Sequence, residues 1–127
     1  MKEILTAMLT LEQFKAARGV LQGVLRPTSL IHSPALSKNC GNNVYLKPEN
    51  MQVTGAYKIR GAYYKISTLS EEEKARGLVT ASAGNHAQGV AYAAQKMGVP
   101  ATIVMPTTTP LVKVNNTKDY GAQVILH

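Results

Sequence analysis

A single cysteine, Cys40, is all that the 127-residue chain carries. One thiol excludes an intrachain disulfide and a cysteine-based zinc site, and leaves a small structural or incidental residue as the reading of that position. Long hydrophobic runs are missing as well: no stretch reaches the roughly 20 residues that a membrane-spanning helix needs. The first residues, Met1-Lys2-Glu3-Ile4-Leu5, lack the apolar segment and small-residue cleavage site of a secretory leader, so the cytoplasm is the expected compartment. Acidic residues are scarce, 7 against 14 lysines and arginines, for a formal charge of +7. Such an excess marks a nucleic-acid binder only where the cations cluster. Here Lys15, Arg18, Lys38, Lys47, Lys74, Lys96 and Lys113 are scattered, and Glu71-Glu72-Glu73 interrupts them, as on ordinary solvated faces. Tyr57, Lys58, Arg60, Tyr63, Tyr64 and Lys65 do interleave aromatic and basic residues as single-strand binders do. Tyr63, however, falls on an apolar stripe, so core packing accounts for part of that pattern and no nucleic-acid partner is expected. His32 stands without a second ligand at metal spacing, and no metal site is expected.

What is present suits one ordinary soluble domain. A chain of this length can bury roughly two-thirds of the surface that its unfolded form exposes, and 45% hydrophobic with 17% charged residues is the balance of a globular core rather than a disordered segment. No internal repeat or low-complexity segment is visible. Thr10-Leu11-Glu12-Gln13 is a capping box, and Leu11, Phe14, Ala17 and Leu21 continue one helical face, which predicts a helix over about 11–22 stopped by Gly23. Residues 26–43, rich in Pro, Ser, Asn and Gly, read as a surface loop with a short helical turn near 35–38. A strand over 44–47 is ended by Pro48. A loop over 49–56 delivers Lys58, and a helix runs from there to about Thr68. Ser70-Glu71-Glu72-Glu73 is a second capping box, opening a short helix that Gly77 ends. Strands follow over 78–81, 101–105 and 123–126. The helices between them are an alanine-rich one closed by Gly98, with Ala87, Val90, Ala91 and Ala94 on one face, and one over 110–120. Strand, helix, strand, helix, strand is the pattern of an α/β fold: an open parallel sheet with flanking helices, three layers in all, joined by right-handed crossovers. The last apolar run stops one residue before His127, an abrupt cut that suggests a fragment.

Two stretches carry chemistry. In Thr54-Gly55-Ala56-Tyr57-Lys58-Ile59-Arg60-Gly61, Ile59, Ala62, Tyr63 and Ile66 keep helical spacing and place Lys58 in a first turn. The partial positive charge of a helix start disfavours a second cation there by ~0.3 to 1 kcal/mol, which biases a lysine toward its nucleophilic neutral amine. Burial and a neighbouring cation such as Arg60 would add to that bias, as lysines that condense with carbonyl compounds require. Most lysines at helix starts are merely solvated, so this feature alone decides nothing. Ser82-Ala83-Gly84-Asn85-His86-Ala87-Gln88-Gly89 occupies a strand-to-helix turn at the C-terminal end of a parallel strand, where open α/β sheets bind ligands. Backbone N–H groups there suit a carboxylate or phosphate, with side-chain hydrogen bonds from Ser82 and Asn85. G-x-G-x-x-G and Gly-Lys-Ser/Thr are both absent, and the next strand ends Met105-Pro106 where a dinucleotide site wants an acid, so dinucleotides are disfavoured. His86, with no carboxylate partner in sequence, reads as a packing or hydrogen-bonding residue before an acid or base.

Taken together, Lys47-Pro48-Glu49-Asn50-Met51-Gln52-Val53-Thr54-Gly55-Ala56-Tyr57-Lys58-Ile59-Arg60-Gly61-Ala62 and Ser82-Ala83-Gly84-Asn85-His86-Ala87-Gln88-Gly89 resemble the threonine dehydratase (threonine ammonia-lyase) family of fold-type II pyridoxal phosphate enzymes. The likeness extends from about Leu25 to the end of the chain. It implies that Lys58 binds the aldehyde of pyridoxal 5'-phosphate and, once displaced by substrate, moves the α-proton; that Asn85 hydrogen-bonds the phenolic oxygen of the cofactor; and that Ser82, Ala83, Gly84 and His86 take the carboxylate of a small amino-acid substrate. The implied reaction is α,β-elimination from L-threonine or L-serine to a 2-oxo acid and ammonia. Residues 1–50 would belong to the family's large cofactor domain and 51–127 to most of its small α/β domain, cut before the cofactor-phosphate loop.

The sequence departs from the family pattern at Ala56 and Tyr57, where Ser and Phe are usual, and at Ser29, where proline is common; none of these removes the amine. The glycine-rich loop for the cofactor phosphate and the residue at the pyridine nitrogen would lie beyond His127, so little activity is expected of this chain alone. Serine racemase and hydroxyaspartate dehydratase would use the same residues. Cysteine-synthase-like enzymes fit less well, because their lysine is followed by Asp-Arg and their asparagine by Thr-Gly, unlike Ile59-Arg60 and His86-Ala87. The reading from another class is a non-catalytic anion- or nucleic-acid-binding module, which would bind single-stranded oligonucleotides with steep salt dependence. Apolar faces left open in a partial fold predict a homo-oligomer, a dimer or larger.

Overall fold

The computed structural model describes residues 9–127; the Met1–Leu5 stretch considered for a leader lies outside them. In chain order the elements are α1 (Leu11–Leu21), β1 (Ile31–His32), α2 (Pro34–Cys40), β2 (Tyr45–Leu46), a 3-10 turn (Glu49–Met51), α3 (Lys58–Ser67), α4 (Glu71–Ala75), β3 (Leu78–Ala81), α5 (Asn85–Met97), β4 (Ala101–Met105), α6 (Leu111–Asp119) and β5 (Gln123–Leu126). Both capping boxes form. Thr10 accepts from the Gln13 amide while Gln13 Oε1 accepts from the Thr10 amide, and Ser70 and Glu73 do the same at α4. The Ser70 amide that Glu73 accepts holds its carboxyl below the usual glutamate range.

Strands β3, β4 and β5 pair in parallel in that spatial order, with Ile103 opposite Thr80 on one side and Val124 on the other. This register gives the sheet one covered face, where Ile103 and Met105 are fully buried. The opposite face is open among the described residues: Val79 is 78% exposed and Ile125 44%. The three layers are therefore the sheet, α5 with α6 beside it, and α3 packed along α5, rather than helices on both faces of the sheet. Helix α5 is the middle layer, which is why every residue from Ala87 to Ala94 is buried and not just the four on its predicted face. Small side chains make this possible by letting backbones approach on two sides. Ile59, Ala62 and Ile66 of α3 close the core from above, and the full burial of a side chain such as Ile59 stabilises the fold by about 1.5–3 kcal/mol.

Two parts of the amino-terminal third differ from the sequence reading. The expected strand at 44–47 shortens to β2 and pairs antiparallel with β1, Ile31 opposite Leu46, apart from the parallel sheet. The short helical turn expected near 35–38 within the 26–43 loop is a longer helix, α2, capped by the Ser33 hydroxyl on the Leu36 amide with Pro34 at its first position. Pro34 was a start signal as well as a breaker, since its fixed φ suits the first turn and its missing N–H costs nothing there.

Candidate functional site

Lys58 is the first residue of α3. The loop before it is braced rather than loose. Gln52, 2% exposed, accepts from the Arg26 and Val53 amides, both at 3.0 Å, and donates to the Arg26 carbonyl at 3.0 Å. Gly55 then turns the chain at φ +69°, with its amide on the Gln52 carbonyl at 2.8 Å, a conformation in which a side chain would be strained. Lys58 itself is exposed, and its ammonium has no hydrogen-bond or ion-pair partner among the described residues.

Arg60 does not act as a free cation beside it. Its guanidinium forks onto Glu49, at 3.0 Å from Nε and 2.8 Å from the terminal nitrogen. Thr28, 7% exposed, donates to the same carboxylate at 2.6 Å, and Lys47 donates to the Thr28 carbonyl at 2.6 Å. The Arg60 hydrogen bonds hold the Glu49 carboxyl down at about 2, against a smaller opposing effect of burial and with help from Thr28; Glu49 in turn raises Arg60. The expected Arg60 bias on Lys58 is thus replaced by a mechanical role: the pair clamps the start of α3 to the segment after β2.

Glu49 is ionised more readily in the folded chain, so its contribution is complete above its ordinary pKa of 4.5 and is lost as pH falls from there through about 2. The whole shift would correspond to about 3 kcal/mol, and screening at the half-exposed Arg60 reduces it to about 2 kcal/mol. Urea unfolding of the parent chain and Glu49→Gln should differ by about that amount at neutral pH, with the gap closing across the acid range. A gap that stays constant into acid would show that Glu49 acts through shape and not through charge.

The second stretch opens α5. Ser82 ends the β3 ladder with its amide on the Val104 carbonyl at 3.0 Å, and its Oγ accepts from the Gly84 and Ala87 amides, both at 3.3 Å. Asn85 Oδ1 accepts from Lys113 Nζ of α6 at 3.1 Å. The acceptor oxygen of each side chain is therefore engaged inside the protein, while the Ser82 O–H and the Asn85 amide N–H2 remain to donate. The backbone amides of Ala83, Asn85 and His86 also have no partner among the described residues. Half-buried His86 has no hydrogen-bond partner or carboxylate there either.

Gly89 brings the two stretches together. A Cβ at this position would lie 3.4 Å from both Cα and N of Ile59, the neighbour of Lys58, so α3 begins directly against the first turns of α5. The buried side-chain atoms without a partner among the described residues are Thr54 Oγ1, Gln88 Nε2 and Thr109 Oγ1. They lie on the loop before α3, in the first turns of α5 and on the β4–α6 loop. A group left unpaired in such a place costs about 1–3 kcal/mol, which a polar ligand or ordered water can recover. By contrast, a groove of about 1020 Å³ lined by Phe14, Leu21, Arg26, Lys47, Arg60 and Tyr64 includes neither Lys58 nor any residue of 82–86.

Glu49, Thr28 and Lys113 were not picked out by sequence reasoning. Lys113 had a usable signal: it opens the helix after β4, whose carboxyl end adjoins that of β3 in any parallel sheet of this order. Glu49 and Thr28 had none, since a polar pair that meets across 21 residues leaves no periodicity.

The start of α3, with its exposed primary amine, thus lies against the first turns of α5, and α5 opens on a turn of hydrogen-bond donors at the carboxyl edge of a parallel sheet. The chain belongs to the pyridoxal-phosphate-dependent enzymes: residues 21–127 match the family described as Pyridoxal-phosphate dependent enzyme. Among its relatives, the L-threonine ammonia-lyase of Thermotoga maritima is 59% identical over 94% of this chain and 30% of its own length. The crystal structure of serine racemase from Dictyostelium discoideum matches with a TM-score of 0.87 and 36% identity, over 93% of this chain and 38% of that one. The processed form of threonine deaminase isoform 2 from Solanum lycopersicum matches with a TM-score of 0.77 and 39% identity, over 94% and 36%. The chain thus spans about a third of the length of these proteins. The donor set fits the family's cofactor: an amine for the aldehyde, and N–H and O–H groups for anionic oxygens.

Proposed function

We propose that this chain supplies the cofactor-anchoring lysine and the carboxylate-binding turn of a pyridoxal-phosphate-dependent threonine/serine dehydratase. The observation that carries this reading is the close approach of the start of α3, which carries Lys58, to the first turns of α5, whose opening turn engages its acceptors internally and leaves its donors without partners among the described residues. Lys58 would hold pyridoxal phosphate through the aldehyde, and the Asn85 N–H2 would face the phenolic oxygen. Ser82, Ala83, Gly84 and His86 would receive the substrate carboxylate, chiefly through backbone N–H groups. When bound, the cofactor supplies the electron sink that allows the α-proton of L-threonine or L-serine to leave, followed by the β-hydroxyl. The protein's part is to orient the substrate by its carboxylate and to move the α-proton with the freed Lys58 amine. A 2-oxo acid and ammonia are the products.

We read residues 1–50 as part of a larger cofactor domain and 51–127 as most of a smaller one. The separate β1–β2 pair, which shares no ladder with the three-stranded sheet, supports this division. A cytoplasmic setting and self-association belong to the same reading, the latter supported by open apolar positions such as Val79, Leu111 and Phe14. Serine racemization is the second reading, favoured by the serine racemase among the structural neighbours, since removal of the α-proton is shared.

Mixed with pyridoxal phosphate and L-threonine, the chain alone should form little or no 2-oxobutanoate, because it spans about a third of its relatives. Robust production would refute that part. Borohydride reduction of the cofactor-treated chain followed by peptide mapping should place the label on Lys58. A label spread evenly over the lysines would overturn the assignment.

A further inference from the structure

The Asn85–Lys113 contact resolves a question that an isolated carboxamide leaves open. A carboxamide has an acceptor end and a donor end of nearly equal size, and its neighbours decide which end faces where. An ammonium only donates. With Lys113 Nζ at 3.1 Å, the Asn85 oxygen must face it, and the N–H2 is turned away with no partner among the described residues. In the opposite orientation Asn85 would present lone pairs to an incoming anion and repel it.

The placement of Lys113 is otherwise unfavourable. It sits in the first turn of α6, where the helix start disfavours a cation; no acidic residue lies in that turn, and no carboxylate pairs with it among the described residues. Yet its backbone is pinned at both ends. Its amide donates to the Pro110 carbonyl at 2.8 Å, and its carbonyl accepts from the hydroxyl of fully buried Thr117 at 2.8 Å. Lys113 is thus a half-buried cation held in place without a counter-ion among the described residues, next to a turn whose donors have no partner there.

We propose that Lys113 is a positioning residue: it locks the Asn85 carboxamide with its N–H2 toward the phenolic oxygen of pyridoxal phosphate. The inference rests on the reading of Lys58 and Asn85 given above. It requires that Lys113 act through Asn85, so the two residues must be non-additive.

The test titrates the chain with pyridoxal phosphate and follows the visible band of the lysine-bound cofactor in the parent, Lys113→Met, Lys113→Arg, Asn85→Ala and Asn85→Ala/Lys113→Met, with Lys58→Ala as control. Lys113→Met should weaken cofactor binding about three- to tenfold, the size of one hydrogen bond, and shift the band maximum. Lys113→Arg, still a donor-only cation, should restore both. In the Asn85→Ala background the Lys113→Met change should do nothing more. Thermal midpoints that match the parent separate positioning from a general loss of structure. Equal affinity and band position in the parent and Lys113→Met, with the band still dependent on Lys58, would overturn the role of Lys113 and leave the site reading intact. A band that survives Lys58→Ala but vanishes in Lys113→Met would make Lys113 the reacting amine and overturn both. Absence of any Lys58-dependent band would remove the reading and this inference with it.

Discussion

Lys58→Ala should abolish the visible absorbance that the chain develops with pyridoxal phosphate while leaving its stability unchanged. The first half follows from chemistry: without the amine there is nothing to condense with the aldehyde, and non-covalent contacts from one turn of donors are a weak substitute. The second half follows from structure. Lys58 is exposed and makes no hydrogen bond or ion pair among the described residues, so its truncation removes solvated atoms only. Substitutions of that kind usually fall within about 0.5 kcal/mol, and alanine is itself a good residue in a helix's first turn. Absorbance titration together with urea unfolding checks both halves. A band of unchanged intensity in Lys58→Ala would move the chemistry to another lysine. A large loss of stability would mean that Lys58 is a structural residue after all.

How far the sequence alone reaches is clear from particular positions. The ends of β3, β4 and β5 agree with the apolar runs at 78–81, 101–105 and 123–126, because glycine turns and capping signals bracket them. Helix α5 was placed correctly, but its burial was underestimated: four residues on one face predict a surface helix, whereas it is enclosed from Ala87 to Ala94. Gly89 carries no hydrophobic periodicity, yet its missing side chain lets α3 lie against α5. Strand β1, two residues long, is too short to show any alternation, so only the three-dimensional pairing with β2 reveals it. At the site, Lys58, Ser82 and Asn85 stood out because local sequence identifies helix starts and strand-to-helix turns. Their partners did not. Arg60 is a cation in sequence and one half of a fork with Glu49 in space, and Asn85 gains a fixed orientation only from a lysine 28 residues away.

Gly89 gives the sharpest link between the fold and that site. Alanine at this position adds one carbon 3.4 Å from the Ile59 backbone and 3.5 Å from Ala62 Cβ, the near edge of ordinary contact. The helix gains about 0.5–1 kcal/mol from losing a glycine, which offsets a small adjustment of α3, so Gly89→Ala should stay within about 1 kcal/mol of the parent. Gly89→Leu is different in kind. Its further carbons would have to enter the space of the Ile59 backbone, which cannot rotate aside as a side chain can, so α3 must lift from α5. Overpacking of this sort costs about 3 kcal/mol, and the displacement carries Lys58 away from Asn85, so the cofactor band should fade together with stability. Gly61→Ala is the control: a Cβ there meets no atom of the described residues within 4 Å, and the chain should gain about 0.5–1 kcal/mol from helix propensity alone. Denaturant midpoints and the cofactor band, measured across the three variants, test the argument. If Gly89→Leu kept parent stability and a full band, the start of α3 would be held by the Arg60–Glu49 fork and not by its close approach to α5. The Glu49→Gln chain would then be the one to lose the band.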